Sequence, residues 1–337
     1  MAPTKAGWLP DMADIKQFCG TKPIHLAFSV GFGGNYYRRI NRAEFEDEAA
    51  KCPNVTTTYT DGEGNPQKQI SDIQGLVAQH YDAIIVTPDA GEAIFKAIKQ
   101  ATAAGVAVVV NDVGESFPGV AGQDFVDAVR NSALQIGVTE GEWMGGALKG
   151  KGNVIIFGGT PGSTYTIDQD KGIRQALAKW PDIKVLEGPV TTNWDPALAQ
   201  KAASALIAKY PQIDGVFSET DGPIRAFLAA GKPIPAWAGQ ELNETSCLWE
   251  DNHAANPTFL FGQMSAHTWP VRIAIRKALA AVNGMSDPEL SITTIPLVED
   301  STSSDPALAV KCDRSMPPDS IASALLTKDA MRKLLAK

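Results

Sequence analysis

The sequence predicts an α/β fold made of two similar lobes, each built around a parallel sheet. Strand-like apolar runs alternate with helical patterns from residue 24 to about residue 280. The spacing of these runs is similar in the two halves of the chain. The tripeptide "FGG" also ends the first strand of each half, at Phe32 to Gly34 and at Phe157 to Gly159. These repeats indicate a duplicated architecture.

The strand-like runs can be placed in order along the chain. Those of the first half begin at residues 24, 55, 82, 106 and 119: "IHLAFSV", "VTTTY", "DAIIVTPD", "VAVVVND" and "GVAGQD". Those of the second half begin at residues 153, 183, 214 and 234: "NVIIFGG", "IKVLEGPV", "DGVFSETD" and "IPAWAGQE". Open α/β sheets bind ligands at the carboxyl ends of their strands, so two such edges that face each other predict a cleft between the lobes.

Three extended runs fall where the chain would cross between lobes: "GVAGQD", "TFLFGQM" (258–264) and "SITTIPL" (291–297). Three crossings are needed if the chain returns to the first lobe to form the helix in "HTWPVRIAIRKALAAVNG". We therefore expect an N-terminal lobe of residues 1–122 and 264–292 and a C-terminal lobe of residues 123–263 and 293–312. Residues 313–337 are expected to form a C-terminal extension that lies across the lobes.

Composition excludes several classes of protein. With 337 residues, 44% of them hydrophobic, the chain is long enough for two cores. The formal net charge of -8 and the lack of a basic stripe argue against nucleic-acid binding. The sequence contains no run of 18 apolar residues, the length that would suggest a membrane span. Its first 20 residues lack the pattern of a signal peptide. We expect any leader to be absent from this sequence.

Four cysteines are present, without the spacing of a metal site: Cys19, Cys52, Cys247 and Cys312. Cys19 precedes the first strand and Cys52 follows the first helix, so both fall at the same edge of a βαβ unit. A disulfide between them is geometrically reasonable, and Cys247 is the expected partner of Cys312. The alternative is four buried free thiols in a cytosolic protein. The paired arrangement would indicate an oxidising compartment.

An enzyme should show a nucleophile, a base and an orienting group, and the sequence shows no such set. The GxSxG, HExxH and GxxxxGK[ST] motifs are absent, and the four histidines are scattered. Strand-end carboxylates such as Glu219 and Asp221 are equally explained as helix caps. We therefore predict no enzymatic activity, no cofactor and no metal.

The polar and aromatic residues at the strand ends instead suit a small polyhydroxylated ligand. Carboxylates and amides hold vicinal hydroxyls in pairs, and aromatic faces stack on C–H surfaces. The predicted ligand-binding residues are Asn35, Tyr36, Tyr37, Asn111, Asp112, Asp168, Gln169, Trp194, Thr220, Glu241, Asn243 and Gln263. A phosphate cradle in "GFGGNYYRR" is disfavoured because no Lys, Ser or Thr follows the glycines.

From about residue 23 to about residue 296, the chain resembles the periplasmic sugar-binding proteins of the ribose-binding type, the extracytoplasmic receptors of ABC importers. The resemblance rests on "IHLAFSV" with "GFGGNYYRRINRAEFEDEA", on "DAIIVTPDA", "KGIRQAL" and "PQIDGVFSETD", and on "GQELNETSCLWEDN". It implies the type I periplasmic binding protein fold, in which two Rossmann-like lobes joined by three crossovers close on the ligand.

The resemblance also assigns roles and shows departures. It places the aromatic and amide pair on Asn35 and Tyr37 and the stacking aromatic on Trp194. Family members commonly carry Arg where this chain has Asp112 and Gln169, and Asn where it has Thr220. The resulting site suits a neutral sugar or polyol, or an amino sugar whose ammonium would pair with a carboxylate, and it disfavours acidic ligands.

The resemblance implies a monomeric, periplasmic or extracytoplasmic protein, free or lipid-anchored, that delivers its ligand to the membrane permease of an ABC importer. One alternative is the effector-binding domain of a lac-repressor-like regulator, which would need a helix-turn-helix segment ahead of the first strand. Another is an amino-sugar receptor for signalling.

Overall fold

The first lobe is built on a six-stranded sheet in which every pair of neighbouring strands is parallel. The structure is a computed structural model and describes residues 12–336. The strands of this sheet are β1 (Ile24–Val30), β2 (Val55–Asp61), β3 (Ala83–Thr87), β4 (Ala107–Asn111), β5 (Asp127–Asn131) and β11 (Ile292–Thr293). Their order across the sheet is β11-β5-β4-β3-β1-β2.

The second lobe repeats this arrangement. Its strands are β6 (Lys151–Gly158), β7 (Asp182–Thr191), β8 (Gly215–Phe217), β9 (Ala236–Gln240), β10 (Phe261–Met264) and β12 (Leu297–Asp300). The order is β12-β10-β9-β8-β6-β7, and the pair of β10 and β12 is antiparallel. The two sheets share one strand order, which confirms the predicted duplication and the two-lobed α/β fold.

Helices cover both faces of each sheet. The first lobe carries α1 (Tyr36–Ala49), α2 (Pro66–Ala78), α3 (Glu92–Ala103) and α9 (Pro270–Val282). The second carries α4 (Ala133–Ala147), α5 (Thr164–Leu177), α6 (Pro196–Lys209), α7 (Gly222–Ala229) and α8 (Asn243–Asn252). Side chains cap several helix starts, as when Asn35 accepts a hydrogen bond from the main-chain N–H of Arg38 at 2.8 Å. Because helices cover both faces, inner strands such as β3 and β9 are wholly buried.

Three adjacent crossings connect the lobes, the number predicted, but the first of them follows β5 and does not lie in "GVAGQD". The chain leaves the first sheet after β5, returns between β10 and α9, and leaves again between β11 and β12. The crossings are bonded to one another: the Ser132 main-chain N–H donates to the Thr293 carbonyl at 3.0 Å, and the Ser265 N–H donates to the Pro296 carbonyl at 2.9 Å. They form the hinge.

The fifth strand does not lie in "GVAGQD", so that prediction is wrong. Gly119 and Gly122 have φ values of 102° and 79°, which an extended strand does not accommodate, and the segment forms turns with one isolated bridge. We therefore propose that the first lobe extends to Asn131 rather than to residue 122. We likewise propose that each of the other two boundaries lies one residue later, because Met264 belongs to β10 and Thr293 to β11.

The C-terminal extension lies across both lobes and ends in α10 (Lys328–Leu335). Residues of the extension pack on Ile40 of α1, and the Leu325 main-chain N–H donates to Glu44 at 2.6 Å. On the second lobe, disulfide Cys247–Cys312 fixes the start of the extension, and the predicted Cys19–Cys52 bridge also forms. Both expected pairings are confirmed, and the alternative of four free thiols is wrong.

Candidate functional site

A cavity lies between the lobes, where the carboxyl ends of the two sheets face each other. Together with the solvent space at its mouth, it has a volume of about 660 Å³. The first lobe contributes Asn35, Tyr36, Tyr37, Arg38, Pro88, Asp89, Asp112, Val113 and Asn131 to its wall. The second lobe contributes Ser163, Thr164, Tyr165, Trp194, Glu219, Thr220 and Gln240.

One guanidinium sits between two carboxylates on the first-lobe side. Arg38 is 6% exposed and pairs with Asp89 at 2.6 Å and with Asp112. Burial raises the pKa of Asp89, and the neighbouring Arg38 opposes that rise. The single positive charge of Arg38 is thus paired with two carboxylates. The ion pairs hold these carboxylates in place for hydrogen bonding to a ligand.

The glycine-rich turn between β1 and α1 directs its donors to protein carboxylates. The Phe32 N–H donates to Asp89 at 2.8 Å, and the Gly33 N–H donates to Asp61 at 3.0 Å. A Cβ on Gly33 would lie 2.3 Å from the Tyr59 hydroxyl, so the turn needs glycine for this close approach. With these N–H groups engaged, the turn serves to bring Asn35, Tyr36 and Tyr37 to the cavity rather than to cradle phosphate.

Aromatic rings and a carboxyl group form the second-lobe side. Tyr165 and Trp194 meet edge to face, with ring centroids 6.5 Å apart. The Gln240 amide donates to the Tyr165 hydroxyl and, at 3.4 Å, to the Glu219 carboxylate. Burial and the nearby Asp112 carboxylate raise the pKa of Glu219 to about 7.

The backbone is strained at two positions in the wall. Asp112 has a φ of 55° and Trp194 a φ of 53°, in the left-handed region that side chains other than glycine rarely occupy. Both residues present their side chains at the cavity wall. Strain of this kind is typical of functional positions.

The lobes touch along the cavity rim. The Tyr36 hydroxyl donates to the Glu219 carbonyl at 2.9 Å, and the Thr160 hydroxyl donates to the Asp89 carbonyl at 2.8 Å. The Ser116 N–H donates to the Asp168 carboxylate at 2.7 Å, and a Cβ on Gly114 would lie 2.2 Å from the Thr164 carbonyl. This arrangement is the closed one, and the missing Cβ of Gly114 permits it.

The structure brings half of the predicted ligand-binding residues to the cavity wall. These are Asn35, Tyr36, Tyr37, Asp112, Trp194 and Thr220. Their contact with a ligand stays a prediction. The other six lie outside the wall and bond to the protein itself: Asn111, Asp168, Gln169, Glu241, Asn243 and Gln263.

On the first lobe and at the rim, the outlying residues have structural partners. Asn111 is buried and its amide donates to the Thr87 hydroxyl at 3.1 Å. Strand alternation turns it away from the cavity, while Asp112 faces it. Asp168 accepts from Ser116 across the lobes. Gln169 donates to Glu140 at 3.1 Å in the seam between α4 and α5.

Glu241 and Asn243 hold the C-terminal extension. Glu241 accepts from the main-chain N–H groups of Ala322 at 3.0 Å and Ser323 at 3.3 Å, and Asn243 donates to the Asp313 carbonyl at 3.0 Å. Gln263 is buried, where it donates to the Leu242 carbonyl at 3.3 Å. The expectation that these three contact the ligand does not fit their placement.

Sequence reasoning overlooked several residues of the wall. They include Arg38, Asp89, Asn131, Tyr165 and Gln240. Asp89 lies two residues after the end of β3 and Gln240 ends β9, so the rule that ligands bind at the carboxyl ends of strands could have found both. Arg38 and Tyr165 lie in the first turns of α1 and α5, at the same edge of the sheets.

Across the described part of the chain, no group of three His, Cys, Asp or Glu side chains could hold a metal ion. No helix within residues 12–336 has the length and apolar character needed to cross a bilayer.

Comparison with known proteins matches residues 26–284 to the family described as "Periplasmic binding protein domain". The xylitol-binding protein of Mycolicibacterium smegmatis is 32% identical over 191 residues, which cover 55% of this chain and 53% of that protein. A ribose import binding protein of Bacillus subtilis is 24% identical over 67% of this chain and 72% of its own length. The chain spans about half the length of the first of these relatives.

Solved structures show the same fold. An ABC transporter solute-binding protein from Thermobispora bispora superposes with a TM-score of 0.72 at 27% identity, covering 93% of this chain and 94% of that one. A Caulobacter myo-inositol binding protein with bound myo-inositol also gives 0.72, at 22% identity, covering 84% of this chain and 95% of that one. Two-lobed binding proteins thus share the architecture described above.

Proposed function

This chain belongs to the periplasmic binding protein domain family, and from that premise we propose that it captures a small neutral sugar or polyol in the cleft and delivers it to an ABC importer. The main support for this proposal is the chemistry of the residues that line the cavity. Tyr165 and Trp194 supply aromatic faces, while Asp112 and Glu219 supply carboxylate oxygens for hydroxyl groups.

The charges of the wall favour a neutral ligand over an acidic one. Among the described residues of the wall, Arg38 is the one cation, and it is paired with Asp89 and Asp112, while Glu219 adds a further acidic group. A phosphate or uronate would meet these carboxylates without a free cation to pair with. Hydroxyl groups, by contrast, can donate to every one of them.

A polyol fits the closed arrangement of the lobes. Residues from both lobes line the cavity, so a ligand that contacts both stabilises closure. The relative named for xylitol and the neighbour solved with myo-inositol support this class of ligand. An amino sugar would also meet the carboxylates, so the ligand panel must include one.

The proposed partner is the membrane permease of an importer, which would recognise the closed lobes. The family description places such domains in the periplasm. We propose that this protein likewise acts outside the cytoplasmic membrane, as a monomer, free or tethered to a lipid. The two disulfides are consistent with an oxidising compartment.

A ligand panel read by intrinsic Trp fluorescence and native mass spectrometry tests the proposal. The panel pairs xylitol, myo-inositol, ribose and glucose with the charged analogues glucuronate, glucose 6-phosphate and glucosamine. We expect a neutral member to bind at least about 100-fold more tightly than either anion, a difference of about 2.7 kcal/mol. Tighter binding of an anion would contradict the proposal, as would failure of every neutral member to bind.

A matched pair of variants locates the binding site. Trp194→Ala removes an aromatic face of the wall and should weaken binding by about 10-fold to 100-fold. Trp180→Phe changes a tryptophan outside the cavity and should leave the affinity unchanged. Equal effects of the two substitutions would place the ligand elsewhere.

A further inference from the structure

The first part of the C-terminal extension is bonded to the second lobe and to the hinge. The main-chain N–H of Asn243, in the first turn of α8, donates to the Ser320 carbonyl at 3.0 Å. The Glu241 carboxylate accepts from the Ala322 N–H at 3.0 Å and from the Ala266 N–H at 3.4 Å. Ala266 lies in the crossing between β10 and α9, so one carboxylate of the second lobe holds both the extension and the hinge.

The remainder of the extension covers α1 of the first lobe. Its buried apolar side chains form one cluster with Ile40 of α1 and with Ala266, the α1–extension cluster. The extension contributes Ile321, Ala324, Leu326, Met331 and Leu335 to this cluster. The Leu325 N–H also donates to Glu44 of α1 at 2.6 Å. The extension therefore connects the second lobe to α1 independently of the three crossings.

Two tyrosines of the cavity wall contact this cluster. Tyr36 and Tyr37, in the first turn of α1, pack against the α1–extension cluster and also line the cavity. The Tyr36 hydroxyl donates to the Glu219 carbonyl across the lobes at 2.9 Å, and the Tyr37 hydroxyl donates to the His267 carbonyl at 2.8 Å. His267 belongs to the same hinge crossing as Ala266. The two tyrosines thus contact the cavity, the hinge and the extension.

We propose that Met331 and Leu335 of α10 are positioning residues for ligand binding, which act through the α1–extension cluster on the orientation of Tyr36 and Tyr37. This inference rests on the proposed function, because the two tyrosines line the cavity in which the ligand is taken to bind. Met331 and Leu335 lie outside the cavity wall, with exposed fractions of 2% and 3%. They act on binding without touching the ligand.

Packing behind the two rings reduces the cost of binding. A tyrosine ring that its neighbours hold before the ligand arrives already has the geometry of the wall, whereas a loose ring must be ordered during binding. The hydroxyl bonds of Tyr36 and Tyr37 also depend on the positions of their rings. Loss of the packing should therefore weaken the closed arrangement of the lobes as well as the contact with the ligand.

Calorimetry with xylitol and with myo-inositol measures the effect on affinity. The double variant Met331→Ala with Leu335→Ala shortens both side chains and should weaken polyol binding by about 5-fold to 20-fold. Met331→Leu with Leu335→Met keeps the volume of the cluster and should restore the affinity to within about 2-fold of the wild type. Met331→Ala alone should weaken binding by about 3-fold, and it replaces the double variant if that protein fails to fold.

The control Leu206→Ala separates positioning from a general loss of stability. Leu206 of α6 is buried in a cluster of the second lobe that shares none of its described residues with the cavity wall. Its truncation should lower the midpoint of urea denaturation, as expected for a leucine in a core, and leave the polyol affinity unchanged. An equal loss of affinity in Leu206→Ala and in the double alanine variant would overturn the inference.

Fluorine-19 NMR of the ligand-free protein labelled with 3-fluorotyrosine reports on the two rings directly. Tyr36→Phe and Tyr37→Phe assign their resonances, which should move or broaden in the double alanine variant and stay in place in Leu206→Ala. Unmoved resonances, or wild-type affinity in the double alanine variant, would overturn the inference. If the wild-type protein bound neither polyol while the resonances moved as expected, the positioning would stand and the proposed function would fail.

Discussion

The hydroxyl of Tyr36 donates a hydrogen bond of 2.9 Å to the main-chain carbonyl of Glu219. Tyr36 begins α1 in the first lobe, and Glu219 follows β8 in the second. The bond therefore exists in the closed arrangement and must break when the lobes separate. Ligand affinity in such a protein includes the free energy of closure.

Tyr36→Phe should weaken polyol binding by about 3-fold to 10-fold, because one neutral hydrogen bond of the closed state, worth about 1 kcal/mol, is lost. Calorimetry gives the affinity, and small-angle scattering gives the degree of closure. The control Tyr81→Phe removes a hydroxyl that contacts Thr58 within the first lobe and should leave binding unchanged. Wild-type affinity in Tyr36→Phe would mean that this bond does not contribute to closure.

Arg38→Met should lower the free energy of unfolding by about 3 to 5 kcal/mol at pH 7.5, because buried Asp89 and partly buried Asp112 lose their counter-charge. Burial already raises the pKa of Asp89, and loss of Arg38 raises it further. Protonation then favours the folded state, so the variant should recover stability as the pH falls towards 5. Urea denaturation at the two pH values measures both effects.

The adjacent Arg39→Met serves as the matched control. Arg39 is 39% exposed in its side chain and pairs with Asp319 at 3.3 Å, so its loss should cost less than about 1 kcal/mol at either pH. Similar losses in the two variants would argue that Arg38 is not the buried counter-ion of the cavity.

The raised pKa of Glu219 implies that the stability of the protein depends on pH. Its pKa of about 7 in the folded protein lies above the value of about 4.3 for an unfolded chain. The folded state therefore holds this proton more strongly, and the associated stability is lost as the pH rises from about 4.3 through 7. Glu219→Gln should be more stable than the wild type at pH 8 by about 1 to 2 kcal/mol, and nearly equal at pH 4.5.

The same substitution should weaken binding, because an amide offers one acceptor oxygen where the carboxylate offers two. We expect about a 10-fold loss of polyol affinity at pH 8 and a smaller loss at pH 6, where the wild-type carboxyl is largely protonated. Denaturation and calorimetry on one set of samples measure both properties. A variant that is less stable at pH 8 would contradict the assigned charge state of Glu219.

Removal of the second disulfide should release the extension. The double variant Cys247→Ser with Cys312→Ser removes a disulfide with a sequence separation of 65 residues. The chain-entropy model gives such a disulfide a contribution of about 4 kcal/mol to the free energy of unfolding. Limited proteolysis should then cut within residues 313–336. The control Cys19→Ser with Cys52→Ser should cost a similar amount and leave the extension protected, because that bridge lies in the first lobe. Equal cleavage in both would contradict the anchoring role of Cys312.

Much of the fold could be predicted from sequence because it depends on local patterns. Strands such as β3 are buried on both faces and read as apolar runs, and both sheets repeat one strand order. The fifth strand was misplaced because "DAVRN" of β5 is short and polar, whereas "GVAGQD" carries the glycines of turns. Burial of β5 comes from α9, which is distant in sequence.

The site was predictable only in part. The expectation that ligands bind at strand ends selects Asp112, Trp194 and Thr220, which line the cavity, but it does not distinguish a carboxylate that faces the cavity from one that holds another segment. Glu241 was misjudged for this reason, since its oxygens accept from residues 322 and 323 of the extension. The role of Arg38 depends on two carboxylates that only the folded chain brings to it.

The central claim is that a neutral polyol binds between Trp194 on the second lobe and the carboxylates held by Arg38 on the first. A crystal structure with the tightest ligand of the panel tests it most directly. We expect the ligand in the cavity with hydroxyl groups within hydrogen-bond distance of Asp112 and Glu219 and a C–H face against Trp194. A ligand bound outside this cavity, or bound there without contact to either carboxylate, would contradict the account.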